Sequence, residues 1–153
     1  MAKMGKFDIR GMKDFEKKLK SMENPDAFVE SCAKELAARL LAKVIKRTPV
    51  GKYPKGSGKK GGTLRRGWTG EKHASASAYA DSLEVKHVGN EYVIEIVNPV
   101  EYASYVEFGH RTPSHNGWVP GKFMMTISEQ ELQAIAPRVL EAKVKKYMEG
   151  LVK

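Results

Sequence analysis

The sequence predicts an α+β fold, and three observations predict it. Phe28, Cys32, Leu36, Leu40 and Val44 recur every four residues, the spacing of one helical face. Tyr92, Ile94 and Ile96 alternate after a Gly89-Asn90 pair, the spacing of a strand leaving a tight turn. A second helical run opens at Ile127-Ser128-Glu129, with Leu132, Ile135, Val139, Ala142 and Tyr147 able to share its inner side. The expected architecture is an antiparallel sheet built around a β-hairpin, extended to four strands or more. A long helix from the N-terminal half and a C-terminal helix pack on it. The length of 153 residues suits a single domain, 1–153, with a real core.

Taken in order, residues 1–10 read as a lead-in, with Phe7 and Ile9 spaced by two. A short helix is expected from Met12 to Met22, burying Phe15 and Leu19. Asn24-Pro25 then starts the long helix by placing proline in the first turn, and Thr48-Pro49 ends it near Arg47. Residues 49–62 are rich in Gly, Pro and Lys and oppose regular structure. With the residues up to 70 they form an expected basic, flexible loop. Leu64 to Trp68 reads as a strand or the start of one, and His73 to Ala80 is weakly patterned. From Ser82 to Val97 the alternation predicts a hairpin whose second strand is apolar on both faces. In the last helix, Ser128 and Glu131 have capping-box spacing, and Pro137 predicts a kink or break near Ala136.

The stretch 98–126, NPVEYASYVEFGHRTPSHNGWVPGKFMMT, reads as a central helix-loop motif. Asn98 is the expected N-cap and Pro99 the first helical residue, with Gly109 as the stop. Tyr102, Tyr105 and Val106 share one face. A helix this short needs pinning by the fold or a partner. Tyr102 and Phe108 are therefore expected in the core or an interface. Glu107 faces the negative end of the helix dipole. It reads as solvated, as paired with Arg111, or as meeting a cation on a neighbouring subunit. On the last reading Glu107→Lys would spare the fold and block assembly. Trp118, in the loop from Arg111 to Lys122, is expected to dock in a groove of its own or a neighbouring subunit. Phe123 closes the expected interface set of Tyr102, Glu107, Phe108, Arg111, Trp118 and Phe123.

These pieces carry a resemblance. EYASYVEFG followed by a polar loop and GWVPGKFM resembles the small neck proteins of long-tailed phages and phage-like elements, the tail-completion or head–tail joining proteins. The upstream half is similar too: an alanine-rich helix, Thr48-Pro49-Val50, then Gly62-Thr63-Leu64-Arg65-Arg66. The insertion GKYPKGSGKKG departs from the tighter turn such proteins have there. The resemblance implies a structural virion protein without catalysis or cofactor. It would assemble in the host bacterial cytoplasm as a homo-oligomeric, hexameric ring. The ring would sit at the head–tail junction, between the head connector and the tail tube or an adjacent neck protein, where DNA in its channel is a further possible contact.

Charge supplies the alternative. The net charge is +9, and no acid occurs between Glu35 and Glu71. Ten of the 27 Lys and Arg lie in that interval, so the remaining 17 nearly balance the 18 acids. Lys52, Lys55, Lys59, Lys60, Arg65 and Arg66 form the expected basic contact loop. Such a block suits nucleic acid, an acidic protein surface, or plain solvation. Tyr53 and Trp68 could stack on bases beside it, as a nucleic-acid-binding module would require.

Other classes are poorly supplied. GSGKKGGT lacks the spacer of a phosphate loop and follows no apolar strand. A metal-dependent nuclease is a weaker reading. His110, His115 and Asn116 crowd one loop with no acid or Cys beside them, and a metal site needs three or four converging ligands. Glu101 and Glu107 stand about 120° apart around a helix, which is no acid–base pair. Ser104 lies in no nucleophile elbow. The single cysteine, Cys32, reads as a small core residue. No apolar run reaches membrane-spanning length, and no signal peptide is expected.

Overall fold

The computed structural model describes residues 3–7, 25–70 and 75–151. Its elements run β1 (Lys3–Phe7), α1 (Pro25–Arg47), α2 (Thr63–Gly67), α3 (Ala76–Ser82), β2 (Lys86–Val88), β3 (Glu91–Val97), α4 (Ala103–Phe108), β4 (Gly109–Arg111), β5 (Trp118–Pro120) and α5 (Met124–Leu151). The fold is α+β, as the sequence predicts. The expected helix from Met12 to Met22 lies outside the described residues.

Helix α1 has the predicted bounds, and its four-residue stripe is the core. Phe28, Cys32, Leu36, Leu40 and Val44 are buried, flanked by Ala33, Ala37 and Leu41. The stripe packs on α3, α5 and β3. From β3 it receives Tyr92, Ile94 and Ile96, and from α5 Leu132, Ala136 and Leu140. Tyr147 stacks on Phe28 with ring centroids 4.3 Å apart, near the start of α1. The antiparallel helices are also clasped by ions: Lys143 donates to Glu35 at 2.8 Å, and Arg47 to Glu131 at 2.6 Å. The Lys143 hydrogen bond holds the Glu35 carboxyl below its ordinary range. Burial pushes the Cys32 thiol up to about 11, so it stays protonated and acts as a core residue.

The hairpin forms, but its first strand is shorter than the alternation suggests. Ser82 ends α3, and β2 covers only three residues opposite Tyr92 and its neighbours. Strand β3 is central: β1 pairs with its other edge, antiparallel, with Phe7 opposite Ile94. Among the described residues this sheet has three strands, and β4 and β5 form a separate pair. A fourth strand of that sheet is not found among the described residues. The alternation at Leu83 and Val85 comes from packing against the core without strand pairing.

Three other expectations change. Leu64 to Gly67 is a helix, not a strand, and the run before Ser82 is helical, with Ser75 Oγ accepting from Ala78 N. Ser128 does not cap α5. The helix starts four residues earlier, and Ser128 Oγ donates to Met124 O inside it. Glu131 points across to Lys43 and Arg47. Helix α5 runs through Pro137 without a break, and that proline is exposed.

The end of α1 is a junction. Thr48 is buried; its hydroxyl donates to Val44 O at 2.6 Å and accepts from Trp68 Nε1 at 2.8 Å. Its carbonyl accepts from Arg65 Nη2 at 2.7 Å, placing a cation at the negative end of the helix. Trp68 is fully buried. Trp68→Ala should cost about 3–5 kcal/mol by removing a large core aromatic. Trp68→Phe should cost less, keeping most contacts but leaving Thr48 without its indole donor. Urea unfolding checks both. A wild-type midpoint for Trp68→Ala would contradict this placement.

Candidate assembly surface

Of the face expected on helix α4, Val106 is half-buried against the core while the tyrosines are left exposed. The buried positions of α4 are Ala103 and Glu107, one helical turn apart. Tyr102 (44% exposed), Tyr105 and Phe108 (58% exposed) face outward. Tyr102 and Phe108 are thus not core anchors of this subunit. Asn98 caps nothing as a helical N-cap. It is buried, its side-chain oxygen accepts from Val100 N, and its amide donates to Leu64 O. It ties the turn before α4 to α2.

Glu107 is neither solvated nor paired with Arg111. It is fully buried and caps the start of α5. Met125 N donates to its Oε2 at 2.9 Å, while Thr126 N and Thr126 Oγ1 donate to its Oε1 at 2.9 and 2.7 Å. Phe123 occupies the N-cap position, since Ile127 N bonds back to its carbonyl. Phe123 has a positive φ of 47° and no side-chain acceptor, so a cap must come from elsewhere. The Glu107 carboxylate supplies it and meets the positive end of the helix dipole. The same residue's carbonyl accepts from Phe123 N at 3.0 Å, and Val106 O from Lys122 N at 2.8 Å.

The β4–β5 hairpin grows from the end of α4. His110 pairs with Val119 and Arg111 with Trp118. The approach is close: a Cβ on Gly109 would lie 2.6 Å from Val119 O, and one on Gly121 would collide with Glu107 O. Trp118 (60% exposed) and Val119 project from β5, with Phe123 and Ile127 exposed at the start of α5. Arg111 is exposed, and the His110 ring lies 5.9 Å from that of Tyr105. Among the described residues no group of three His, Cys, Asp or Glu converges to hold a metal ion. No helix among them is long and apolar enough to cross a membrane.

The basic contact residues divide. Lys52, Lys55, Lys59 and Lys60 are exposed on the 49–62 loop, whereas Arg65 holds the Thr48 carbonyl and Arg66 Nη1 donates to Gly61 O. Arg65 thus belongs to the fold. Trp68, offered as a stacking platform, is buried. A cleft of about 300 Å³ joins the loop to α4, with Tyr53 and Lys60 on one side and Tyr102 and Val106 on the other.

Residues 13–109 match the family model described as "Bacteriophage HK97-gp10, putative tail-component". The chain belongs to this family. The matched span ends where α4 meets β4, so the second hairpin and α5 lie beyond it. Membership makes the chain a phage tail component and suits a structural role in the virion. No curated protein and no solved structure matches the chain.

Sequence reasoning missed the role of Glu107, since its partners at 125 and 126 become neighbours only through the hairpin. Glu107→Ala should cost about 3 kcal/mol, as buried N–H groups lose a charged acceptor. Glu107→Lys should prevent stable folding by burying a cation at a helix N-terminus. Melting within a few degrees of wild type for Glu107→Lys would refute the cap.

One group near this cap is poorly served. Glu129 Oε1 is buried without a hydrogen-bond partner among the described residues. Burial, then the Glu107 charge, raises the Glu129 pKa. A carboxyl raised on folding favours the native state below its unfolded pKa. That contribution is lost as pH rises through the folded value. Glu129→Gln should therefore raise the melting temperature at neutral pH, with the gain shrinking as pH falls into the ordinary carboxylate range. A gain that grows with acid would contradict this assignment.

Proposed function

We propose that this tail component is a structural subunit of the phage neck. It forms a closed ring of identical copies, six by resemblance, that completes or terminates the tail and joins it to the head connector. The observation carrying the reading is the outward display of Tyr102, Tyr105, Phe108, Trp118 and Phe123 on one stretch whose backbone and Glu107 are fixed inward. Large aromatics held outward on a rigid support suit a subunit interface, where Trp and Tyr dominate binding energy. In the ring a neighbouring copy covers them, and Arg111 lies at the rim beside Trp118. Family membership supports the tail role, and resemblance supports the position at the head–tail junction. The subunit would assemble in the host bacterial cytoplasm and remain in the virion.

Trp118→Ala tests this, since the side chain is exposed in the single subunit. Light scattering over a concentration series should show association weakened roughly thirtyfold, the scale of an interface hot spot. The melting temperature of the dissociated chain should stay within a few degrees of wild type. Unaltered assembly together with a large loss of stability would place Trp118 in the service of the subunit's own fold.

A further inference from the structure

The structure sorts nine of the ten bases of the acid-free interval into two kinds; the tenth, Lys46, is exposed in the last turn of α1 with no carboxylate partner among the described residues. Arg39 pairs with Glu35, and Lys43 and Arg47 pair with Glu131. Arg65 and Arg66 bond to backbone carbonyls. Lys52, Lys55, Lys59 and Lys60 are all exposed and have no carboxylate partner among the described residues.

These four lysines share one compact loop. Its ends pinch together: a Cβ on Gly61 would collide with the Gly51 carbonyl, so the chain leaves and returns at one neck. A loop of this length with touching ends is an Ω-loop. A turn at its tip is closed by Ser57 N donating to Pro54 O at 3.2 Å. Tyr53 folds back over Gly51, and Lys59 Nζ lies 5.9 Å from the Tyr53 ring centroid. Four uncompensated charges are thereby held within nine residues of one loop.

We infer that this loop binds the phosphate backbone of duplex DNA, without reading sequence. Three features choose this partner. The bases are all lysines on flexible stems, which suit phosphates in water and are depleted from the cores of protein interfaces. The loop tip offers no apolar anchor of the kind a protein contact needs, since Val50 and Tyr53 lie at the neck. Single-strand binding needs successive stacking platforms, and Trp68 is buried with its indole N–H committed to Thr48, leaving Tyr53 alone. The loop therefore carries charge without a base-reading surface, which is the chemistry of backbone contact. This goes beyond the assembly reading and does not depend on it.

The test titrates the full-length protein into a labelled duplex of scrambled sequence, with light scattering on the same samples. Four phosphate contacts predict a slope near −3.6 for log affinity against log salt, at about 0.9 per contact. Affinity should fall roughly a hundredfold between about 50 and 200 mM salt, and should rise with duplex length. Replacing Lys52, Lys55, Lys59 and Lys60 together by Ser should flatten the slope at an unchanged melting temperature. Three results would overturn the inference: no binding at low salt, wild-type binding by the fourfold variant, or polyglutamate bound as tightly as the duplex. The last would make the partner an acidic protein. Loss of duplex binding with assembly intact counts against this inference alone, whereas loss of assembly with duplex binding intact counts against the ring.

Discussion

The carboxylate of Glu107 is the constraint on which the central part of this protein depends. Helix α4 has six residues and cannot persist alone in water. Helix α5 begins at a residue that cannot cap it, because Phe123 has a positive φ and an apolar side chain. Each deficiency is answered by the other element. Glu107 leaves α4, accepts from Met125 and Thr126, and fixes both helices at one point. The hairpin between them is then held against the end of α4 by Gly109 and Gly121, which allow backbone to touch backbone. With its inward positions given to Ala103 and Glu107, α4 must turn its aromatics outward. The exposed aromatic surface is thus a consequence of how the support is locked.

A second junction, at Thr48, does comparable work at the C-terminal end of α1, where Thr48 Oγ1 lies 3.3 Å from Met124 Sδ. One hydroxyl and one carbonyl there collect Trp68 and Arg65, so α2 is fastened to the end of the long helix. This changes what the basic segment can do. Three of its helical bases, Arg39, Lys43 and Arg47, are occupied with Glu35 or Glu131, contacts between α1 and its own turns or α5. Such partly exposed pairs contribute little stability each, but they settle which cations remain for a partner. Those are Lys46 and the four loop lysines, the latter presented beyond a neck that the glycines at 51 and 61 make possible. The exposed aromatics and the loop lysines sit on adjoining structures, linked by the cleft between Tyr53 and Tyr102.

The family relation and the physical reading meet over the first two thirds of the chain and then part. The matched span holds the α1 core, the basic loop, the β2–β3 hairpin and α4. Trp118 and Phe123 lie beyond it, on the second hairpin and at the start of α5. Two of the five exposed aromatics displayed together therefore lie outside that relation, held by the second hairpin and the capped start of α5. Arg111 illustrates the limit of spacing arguments. Four residues from Glu107, it suggested an ion pair, but it lies in a strand whose backbone pairs with Trp118 while Glu107 is turned into the core.

By itself the sequence determined the elements whose apolar period is long or strongly alternating. The stripe of α1 sits where its spacing demands, because twenty-three residues of one repeating face leave no other way to bury it. Strand β3 and its Gly89-Asn90 turn follow equally from local pattern. The tertiary structure alone decided the short pieces. Whether Leu64 began a strand or a helix, whether Ser128 capped or lay inside a helix, and which face of α4 pointed inward each depended on partners distant in sequence. Asn98 and Ser128 carry strong local cap signals, yet each found a better-placed hydrogen bond in the folded chain. Glu107 showed no local signal for its role, since a cap supplied across a hairpin has no sequence spacing to recognise.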